Sequence, residues 1–260
     1  MADRYMFNTG EDDERWRLRA QAGMWDRLTF RRLGELGVGA GWRCLEVGAG
    51  SGTVVSWLVD RVGETGRVVA TDIEPKWLRA IEASNLDVLE HDITTDDLED
   101  SAHDLIVVRL VLAHQADEEA VLRKLVRALA PGGRLLVEEM DLRALPACHP
   151  PDATWHAVAG APAELVTRAG ADAQLGIKLP GMFEAAGLSE VDAEAVAFPQ
   201  RMSDNTALRS TFVGLRERMT EAGIATREQI DAVIAKFDDP ECDVMLHGAT
   251  MVSVCGRRPR

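Results

Sequence analysis

The sequence contains few cysteines, one tyrosine and no long apolar run. Its 260 residues include only 4 cysteines, which are Cys44, Cys148, Cys242 and Cys255. They are widely separated and form no CxxC pair, so neither a structural zinc site nor a disulfide framework is expected. Cys44 and Cys255 lie in apolar, strand-like runs and are predicted to be thiols of the core.

No apolar stretch approaches the length of about 18 residues that a membrane-spanning helix needs. Residues 1–17 are acidic and have no apolar segment of the kind that a signal peptide requires. With the reduced cysteines, these features predict a cytoplasmic protein that does not associate with a membrane.

Acidic residues are in excess, with 43 Asp and Glu against 29 Lys and Arg, and the formal net charge is −14. A protein that binds nucleic acid must neutralise phosphates, so this balance disfavours nucleic-acid partners. A small molecule is the expected partner.

Short apolar runs alternate with amphipathic segments over residues 40–141. Continuous apolar strands that alternate with helices are typical of an open, parallel sheet covered on both faces. The predicted strands are 42–50, which runs into glycines, 66–75, 86–93, 103–114 and 134–141, and the predicted helices between them are 51–63, 76–84 and 117–133.

The whole chain, residues 1–260, is interpreted as one domain. Residues 1–39 are expected to form a helical cap, and 40–141 the core. Residues 142–260 are expected to supply lid helices and the last two strands, at 191–199 and 244–259.

A glycine-rich turn, Glu46-Val47-Gly48-Ala49-Gly50-Ser51-Gly52, joins the first strand to a helix. Such a turn lets the backbone approach a ligand closely, and the helix start offers free N–H groups. The dinucleotide pattern GxGxxG fails because Thr53 occupies its third glycine position. Glu46 would also repel a pyrophosphate, so its charge favours an unphosphorylated nucleoside that carries an ammonium group.

Two aspartates end the second and third strands. Asp72 can accept hydrogen bonds from both ribose hydroxyls, although capping of the helix near Pro75 is the alternative. The Asp92 carboxylate could accept from an adenine amino group while the Ile93 N–H faces a ring nitrogen. An ordinary loop role is the alternative for Asp92.

These motifs, with the His91-Asp92 step and LAPGGRLLVEE at 129–139, resemble class I S-adenosylmethionine-dependent methyltransferases. The resemblance covers residues 40–141, and both ends of the chain resemble bacterial small-molecule methyltransferases of the methyltransferase-domain type. It implies an α/β, Rossmann-like, doubly wound sheet of seven mostly parallel strands with the last strand antiparallel. Helical additions are implied at both ends of the chain.

The resemblance also implies S-adenosylmethionine as the cofactor and S-adenosylhomocysteine as its product. Carried over by position, the residues that would line the methionine moiety are Gly48, Gly50 and Gly52, with Glu46 and Arg109 at the same end. Asp72 and Ile73 would lie at the ribose, and Asp92 and Ile93 at the adenine.

Methyl transfer to a hydroxyl needs a base that removes its proton. His114 ends the predicted fourth strand and is the candidate base, with a capping or cofactor-covering role as the alternative. His149, on a proline-rich segment, is a second candidate, with a surface histidine as the alternative. One of Glu138, Glu139 and Asp141 could bind a substrate amine or act as base, and the others are expected in solvent.

No metal site is predicted, because Asp141, His149 and Asp152 lack a diagnostic spacing. The predicted function is O-methylation of a small molecule in bacterial, secondary metabolism. C- or N-methylation and a non-catalytic cofactor-binding regulator remain alternatives. A nicotinamide-dependent oxidoreductase is disfavoured by Glu46, and a homodimer is left open.

Overall fold

The computed structural model describes the backbone of residues 11–260 and the side chains from Leu18 onward. The α-helices are α1 (Glu11–Glu35), α2 (Thr53–Val62), α3 (Glu118–Ala128), α4 (Ala153–Val158), α5 (Ala161–Arg168), α6 (Leu175–Ala185), α7 (Thr206–Glu221) and α8 (Arg227–Phe237). The strands are β1 (Arg43–Val47), β2 (Arg67–Asp72), β3 (Leu86–Glu90), β4 (His103–Arg109), β5 (Leu129–Asp141), β6 (Cys148–His149), β7 (Ser189–Val196), β8 (Gln200–Arg201), β9 (Met245–Leu246) and β10 (Thr250–Arg257).

The chain divides into two compact units, each made of separate segments. The sheet unit comprises Ala22–Glu139, Gly176–Glu194 and Val252–Arg260. The helical unit comprises the described residues up to Gln21, Met140–Leu175 and Ala195–Met251. The predicted lid segment 142–260 is thus shared between both units, and residues 1–10 of the predicted cap lie outside the described residues. The single-domain assignment stays a prediction.

The sheet unit is built on seven strands in the order β3-β2-β1-β4-β5-β10-β7. Six strands are parallel and the last, β10, is antiparallel, as the resemblance implies. The carboxyl ends of β1, β2, β3 and β4 therefore meet at one edge of the sheet. In this topology ligands bind at the strand carboxyl ends, where the connections diverge from β1 and β4.

Apolar strands buried on both faces hold this sheet together. Leu45 of β1, Ile106 of β4 and Leu136 of β5 are fully buried, as the continuous apolar runs indicate. The predicted core position of Cys44 and Cys255 is confirmed, and burial raises the pKa of the Cys44 thiol to about 12.

Several predicted elements of the sheet unit were wrong in extent or type. The fourth strand, predicted over 103–114, ends at Arg109, so His114 does not end a strand. Residues 76–84 form no α-helix but a single 3₁₀ turn over Leu78–Ala80. A segment this short forms few helical hydrogen bonds for its ordering cost. Strand β5 begins at Leu129 rather than 134, because Leu129 already pairs with His103 of β4, and the register shifts before Arg134 pairs with Leu105.

The helical unit has its own apolar core around Trp155, Phe212 and Phe237. The Trp155 ring packs edge-on against Phe212 at 5.8 Å and Phe237 at 6.2 Å between centroids. Its indole N–H donates to the Pro146 carbonyl oxygen at 3.1 Å. A small antiparallel sheet, β6-β9-β8, belongs to this unit. Helices α7 and α8 of this unit lie in the segment 142–260, where the sequence predicts helices.

In the part of the chain that the structure describes, no helix is both long and apolar enough to cross a membrane.

Candidate cofactor site

The glycine-rich turn leaves β1 at Val47 and enters α2 at Thr53 through three left-handed glycines. The φ angles of Gly48, Gly50 and Gly52 are 67°, 52° and 77°. Residues with a Cβ adopt this conformation only at a cost, so the backbone itself requires glycine here. No side chain caps the first turn of α2, whose N–H groups therefore stay available to a ligand.

Close packing is a second reason why two of these positions require glycine. A Cβ at Gly48 would lie 2.3 Å from Cγ2 of Val111, and a Cβ at Gly52 would lie 2.6 Å from Cδ1 of Ile81. The missing side chains thus let Val111 and Ile81 close on the turn from two directions. These glycines shape the turn as well as leaving its backbone accessible.

Asp72, at the end of β2, is tied directly to the glycine-rich turn. Its Oδ2 accepts from the Gly50 N–H at 2.9 Å, and its Oδ1 accepts from the Glu74 N–H at 2.9 Å. Each carboxylate oxygen has a second lone pair, so Asp72 can still accept two hydroxyl groups. The adjoining Ile73 is 58% exposed, which is unusual for a large apolar side chain and leaves an apolar surface beside Asp72.

Asp92 and Ile93 follow β3 in a tight turn. The Asp92 Oδ1 accepts from the Thr94 N–H, and the Asp92 N–H donates to Oδ2 of Asp96, both at 2.9 Å. The Ile93 side chain is buried, and its carbonyl oxygen accepts from Lys124 Nζ at 2.8 Å. The turn contacts fit the loop alternative for Asp92, and the adenine role of both residues stays a prediction.

Arg109 is held in place by side chains that sequence reasoning missed. It follows the register pair Val47–Val108 at the end of β4, beside the glycine-rich turn. Its Nη1 donates to Oδ1 of Asp26 and to Oγ1 of Thr29 in α1, each at 2.9 Å. The Thr53 hydroxyl donates to the same Asp26 oxygen at 3.0 Å. Asp26 therefore joins α1, the start of α2 and the end of β4.

Glu138 of β5 continues this polar network into the protein interior. The hydroxyls of Thr29 and Ser253 donate to its two carboxylate oxygens at 2.5 Å and 2.9 Å. Burial is the main cause that raises its pKa. The expectation that most of Glu138, Glu139 and Asp141 lie in solvent was wrong, because β5 carries all three as buried residues up to Asp141.

Glu46 of β1 is the most unusual group in the site. It is 3% exposed, and its Oε2 is buried without a hydrogen-bond partner. Removal from water raises its pKa to about 8; the positive charge of Arg109 works in the opposite direction, while nearby carboxylates add to the rise. A buried carboxyl oxygen without a donor disfavours the ionised form, so Glu46 is expected to be neutral near pH 7 until a cation approaches.

His114 is positioned by the ends of β4 and β5. It closes a 3₁₀ turn over Leu112–His114 and is half-buried. The Glu139 Oε1 caps this turn by accepting from the N–H groups of Val111 at 2.9 Å and Leu112 at 2.6 Å. Leu110, just before the turn, has a φ of 58°, so the backbone bends sharply after β4.

His149 belongs to the helical unit, where it lies on β6 and is exposed, and its role stays a prediction. Among the residues with described side chains, no cluster of three or more His, Cys, Asp or Glu could hold a metal ion. The sheet unit thus brings together Glu46, the three glycines, Asp72 and Arg109, with Asp92, Ile93 and His114 on neighbouring strand ends.

This arrangement fits the cofactor that the resemblance implies. The left-handed glycine cradle, the uncapped start of α2 and the unpartnered Glu46 oxygen suit a flexible nucleoside with a charged amino-acid end. Asp72 lies at the strand end where α/β folds bind a ribose.

Comparisons with known proteins agree with this assignment. Residues 45–137 match the family model described as "Methyltransferase domain". Over 126 residues the chain is 31% identical to the ubiquinone/menaquinone biosynthesis C-methyltransferase UbiE of Pseudoalteromonas translucida, covering 45% of this chain and 49% of that protein. UbiE of Pseudomonas putida strain F1 is 29% identical over the same length. The chain spans about half the length of the curated relatives it matches.

Solved structures share the fold at low sequence identity. The Haemonchus contortus phosphoethanolamine N-methyltransferase 2 complex with S-adenosylhomocysteine has a TM-score of 0.54 at 14% identity, over 85% of this chain and 50% of that one. The [4+2]-cyclase SpnF has a TM-score of 0.55 at 21% identity, over 90% of this chain and 80% of that one.

The sheet order and the site at its switch point define a class I, Rossmann-like methyltransferase fold. Residues 45–137 are thus similar to a methyltransferase domain, and the sheet around them has the corresponding Rossmann-like fold.

Proposed function

We propose that this protein transfers the methyl group of S-adenosylmethionine to a small-molecule acceptor. The observation that carries the proposal is the glycine-rich turn, which is bound to Asp72 and lies beside the buried Glu46 and Arg109. The net charge of −14 supports a small acceptor over a nucleic acid, because phosphates would be repelled.

The proposed cofactor contacts divide along the strand ends. At the three glycines, Gly48, Gly50 and Gly52, the backbone approaches the methionine moiety. Glu46 attracts its ammonium group, and Arg109 faces its carboxylate. Asp72 accepts from the ribose hydroxyls, and Ile73 covers the sugar. Asp92 and Ile93 contact the adenine.

When bound, S-adenosylmethionine supplies a methyl group on a positively charged sulfur, which needs no acid to leave. The protein must bring the acceptor atom to within about 3–3.5 Å of that methyl group and, for a hydroxyl, remove its proton. We place this proton removal on His114, because Glu139 fixes the turn that ends at this histidine. His149 stays a secondary candidate. The acceptor atom in this proposal is oxygen.

Transfer to carbon is the second candidate, and the relatives favour it. The curated proteins that the chain matches are named C-methyltransferases of ubiquinone and menaquinone biosynthesis. An activated carbon nucleophile also has to lose a proton, so His114 would keep its role.

A screen of small acceptors with S-adenosylmethionine labelled in the methyl group tests both candidates. The position of the label in the product, read by NMR, distinguishes an O-methyl from a C-methyl group. His114→Ala should lose methyl transfer while it still binds S-adenosylhomocysteine, whereas His149→Ala is the matched histidine control. Binding of S-adenosylhomocysteine without transfer to any acceptor in a broad screen would indicate a cofactor-binding protein instead. That outcome is a real alternative, since SpnF, a cyclase, shares the fold.

A further inference from the structure

Glu46 lies among charged groups from one helix and three other strands of the sheet unit. The carboxylates nearby are Asp26 of α1, Asp72 of β2 and Glu138 of β5, and the cation beside Glu46 is Arg109 of β4. Arg32 of α1 also acts on Glu138, but it pairs with Asp192 as well. The four carboxyl groups therefore share two arginines and hold more negative charge than these cations can balance, unless some of the carboxyl groups are protonated.

The hydrogen bonds show which of these carboxyl groups have donors that stabilise the ionised form. Asp26 accepts from Arg109 and Thr53, and Asp72 accepts from two backbone N–H groups. Glu138 has a hydroxyl partner at each oxygen, and a hydroxyl can either donate to it or accept from it. Glu46 alone in this group has a buried oxygen, Oε2, without any partner.

A buried carboxylate with an oxygen that lacks a donor is disfavoured, so Glu46 is favoured in its neutral form before a ligand binds. The attraction of Arg109 is already shared with Asp26 and does not restore the balance. A cationic ligand changes this situation, because its ammonium group supplies both the charge and the N–H donors that Glu46 lacks.

We propose that Glu46 is protonated in the empty site and gives its proton to solvent when the cofactor's ammonium group binds, so that cofactor binding releases one proton. The O–H bond of Glu46 breaks, the proton passes to the buffer, and an ammonium–carboxylate ion pair forms. This proposal rests on the proposed function, which places the amino-acid end of the cofactor beside Glu46.

The consequence is a cofactor affinity that rises with pH. Below the pKa of Glu46 in the empty protein, each pH unit should raise the affinity for S-adenosylhomocysteine by up to about tenfold, because one proton leaves per ligand bound. The ligand carries the same amino-acid end as S-adenosylmethionine but has no methyl group to transfer. It therefore reports on binding alone.

Isothermal titration calorimetry with S-adenosylhomocysteine tests the proposal directly. Titrations near pH 7 in phosphate and in imidazole, whose ionisation enthalpies differ, give the number of protons released from the difference in heat. The wild-type protein should release about one proton per ligand. Glu46→Gln should release none, and Glu138→Gln, which also removes a buried carboxyl group from the cluster, should release as many as wild type.

The titrations distinguish failure of the proton-release proposal from failure of the proposed function. Equal heats in both buffers for the wild type, or a proton count that Glu46→Gln leaves unchanged, would overturn the proposal while cofactor binding stands. Absence of any binding by the wild type would instead overturn the proposed function. If Glu46→Gln binds too weakly to measure, Glu46→Asp, which keeps a titratable carboxyl group, should still release a proton.

Discussion

The buried carboxyl group of Glu46 should make the empty protein less stable as pH rises. Its pKa is raised to about 8 in the folded protein, against 4.5 for the unfolded reference. The folded state therefore keeps a proton that the unfolded state has already lost. The stability that this group contributes is fully present below pH 4.5 and is lost as pH rises to about 8.

The magnitude follows from the size of the shift. Each pH unit in this window lowers the free energy of unfolding by about 1.4 kcal/mol, so the loss between pH 5 and 8 is about 4 kcal/mol. Glu46→Gln has no proton to keep, and its stability should fall less over the same range. The stability of Glu46→Gln relative to wild type should therefore increase steadily from pH 5 to pH 8.

Urea denaturation at several pH values, without ligand, measures this difference. Glu119→Gln is a suitable control, because the Glu119 side chain is 75% exposed on α3 and its loss should leave the pH dependence as in wild type. Parallel stability–pH curves for Glu46→Gln and wild type would refute the reasoning, since they would mean that Glu46 ionises normally in the folded protein.

Three further predictions concern the turn, the base and the helical unit. In urea denaturation, Gly48→Ala should lower the free energy of unfolding by about 1–3 kcal/mol, because the residue has a φ of 67° and its Cβ would meet Val111. Gly34→Ala is the control, since a Cβ there has open space around it. His114→Ala should lower kcat by about 100-fold or more in the methyl-transfer assay and leave the Kd for S-adenosylhomocysteine within about twofold, and an unchanged kcat would remove it as the base. Trp155→Ala should destabilise the protein by about 3–5 kcal/mol in urea denaturation, because the ring is fully buried; a loss below about 1 kcal/mol would contradict its core position.

Most of the sheet could be predicted from the sequence because strands buried on both faces are continuous apolar runs. That signal located β1, β2 and β4 to within a few residues. It failed at 76–84, where Leu78 and Ile81 have helical spacing but pack against Gly52 from a 3₁₀ turn. Whether this segment forms an α-helix or a 3₁₀ turn depends on contacts with a distant part of the chain, and hydrophobic periodicity carries no information about those contacts.

The candidate site was predictable where its residues form a local motif. The glycine-rich turn and Asp72 are recognisable from spacing, and the buried position of Glu46 follows from its place in an apolar strand. Asp26 and Thr29 were missed because they contact Arg109 from 83 and 80 residues away. A weak signal existed, since Thr29 is a polar residue at helical spacing between Trp25 and Leu33 in the buried row of α1.

The proposed methyl transfer requires that the cofactor binds at the glycine-rich turn. Calorimetric titration of S-adenosylhomocysteine into the wild-type protein and into Asp72→Ala tests it. We predict binding of one ligand per chain by the wild type and an affinity at least about tenfold lower for Asp72→Ala, because the variant loses both ribose hydrogen bonds. A wild-type protein that binds neither S-adenosylhomocysteine nor S-adenosylmethionine would contradict the account.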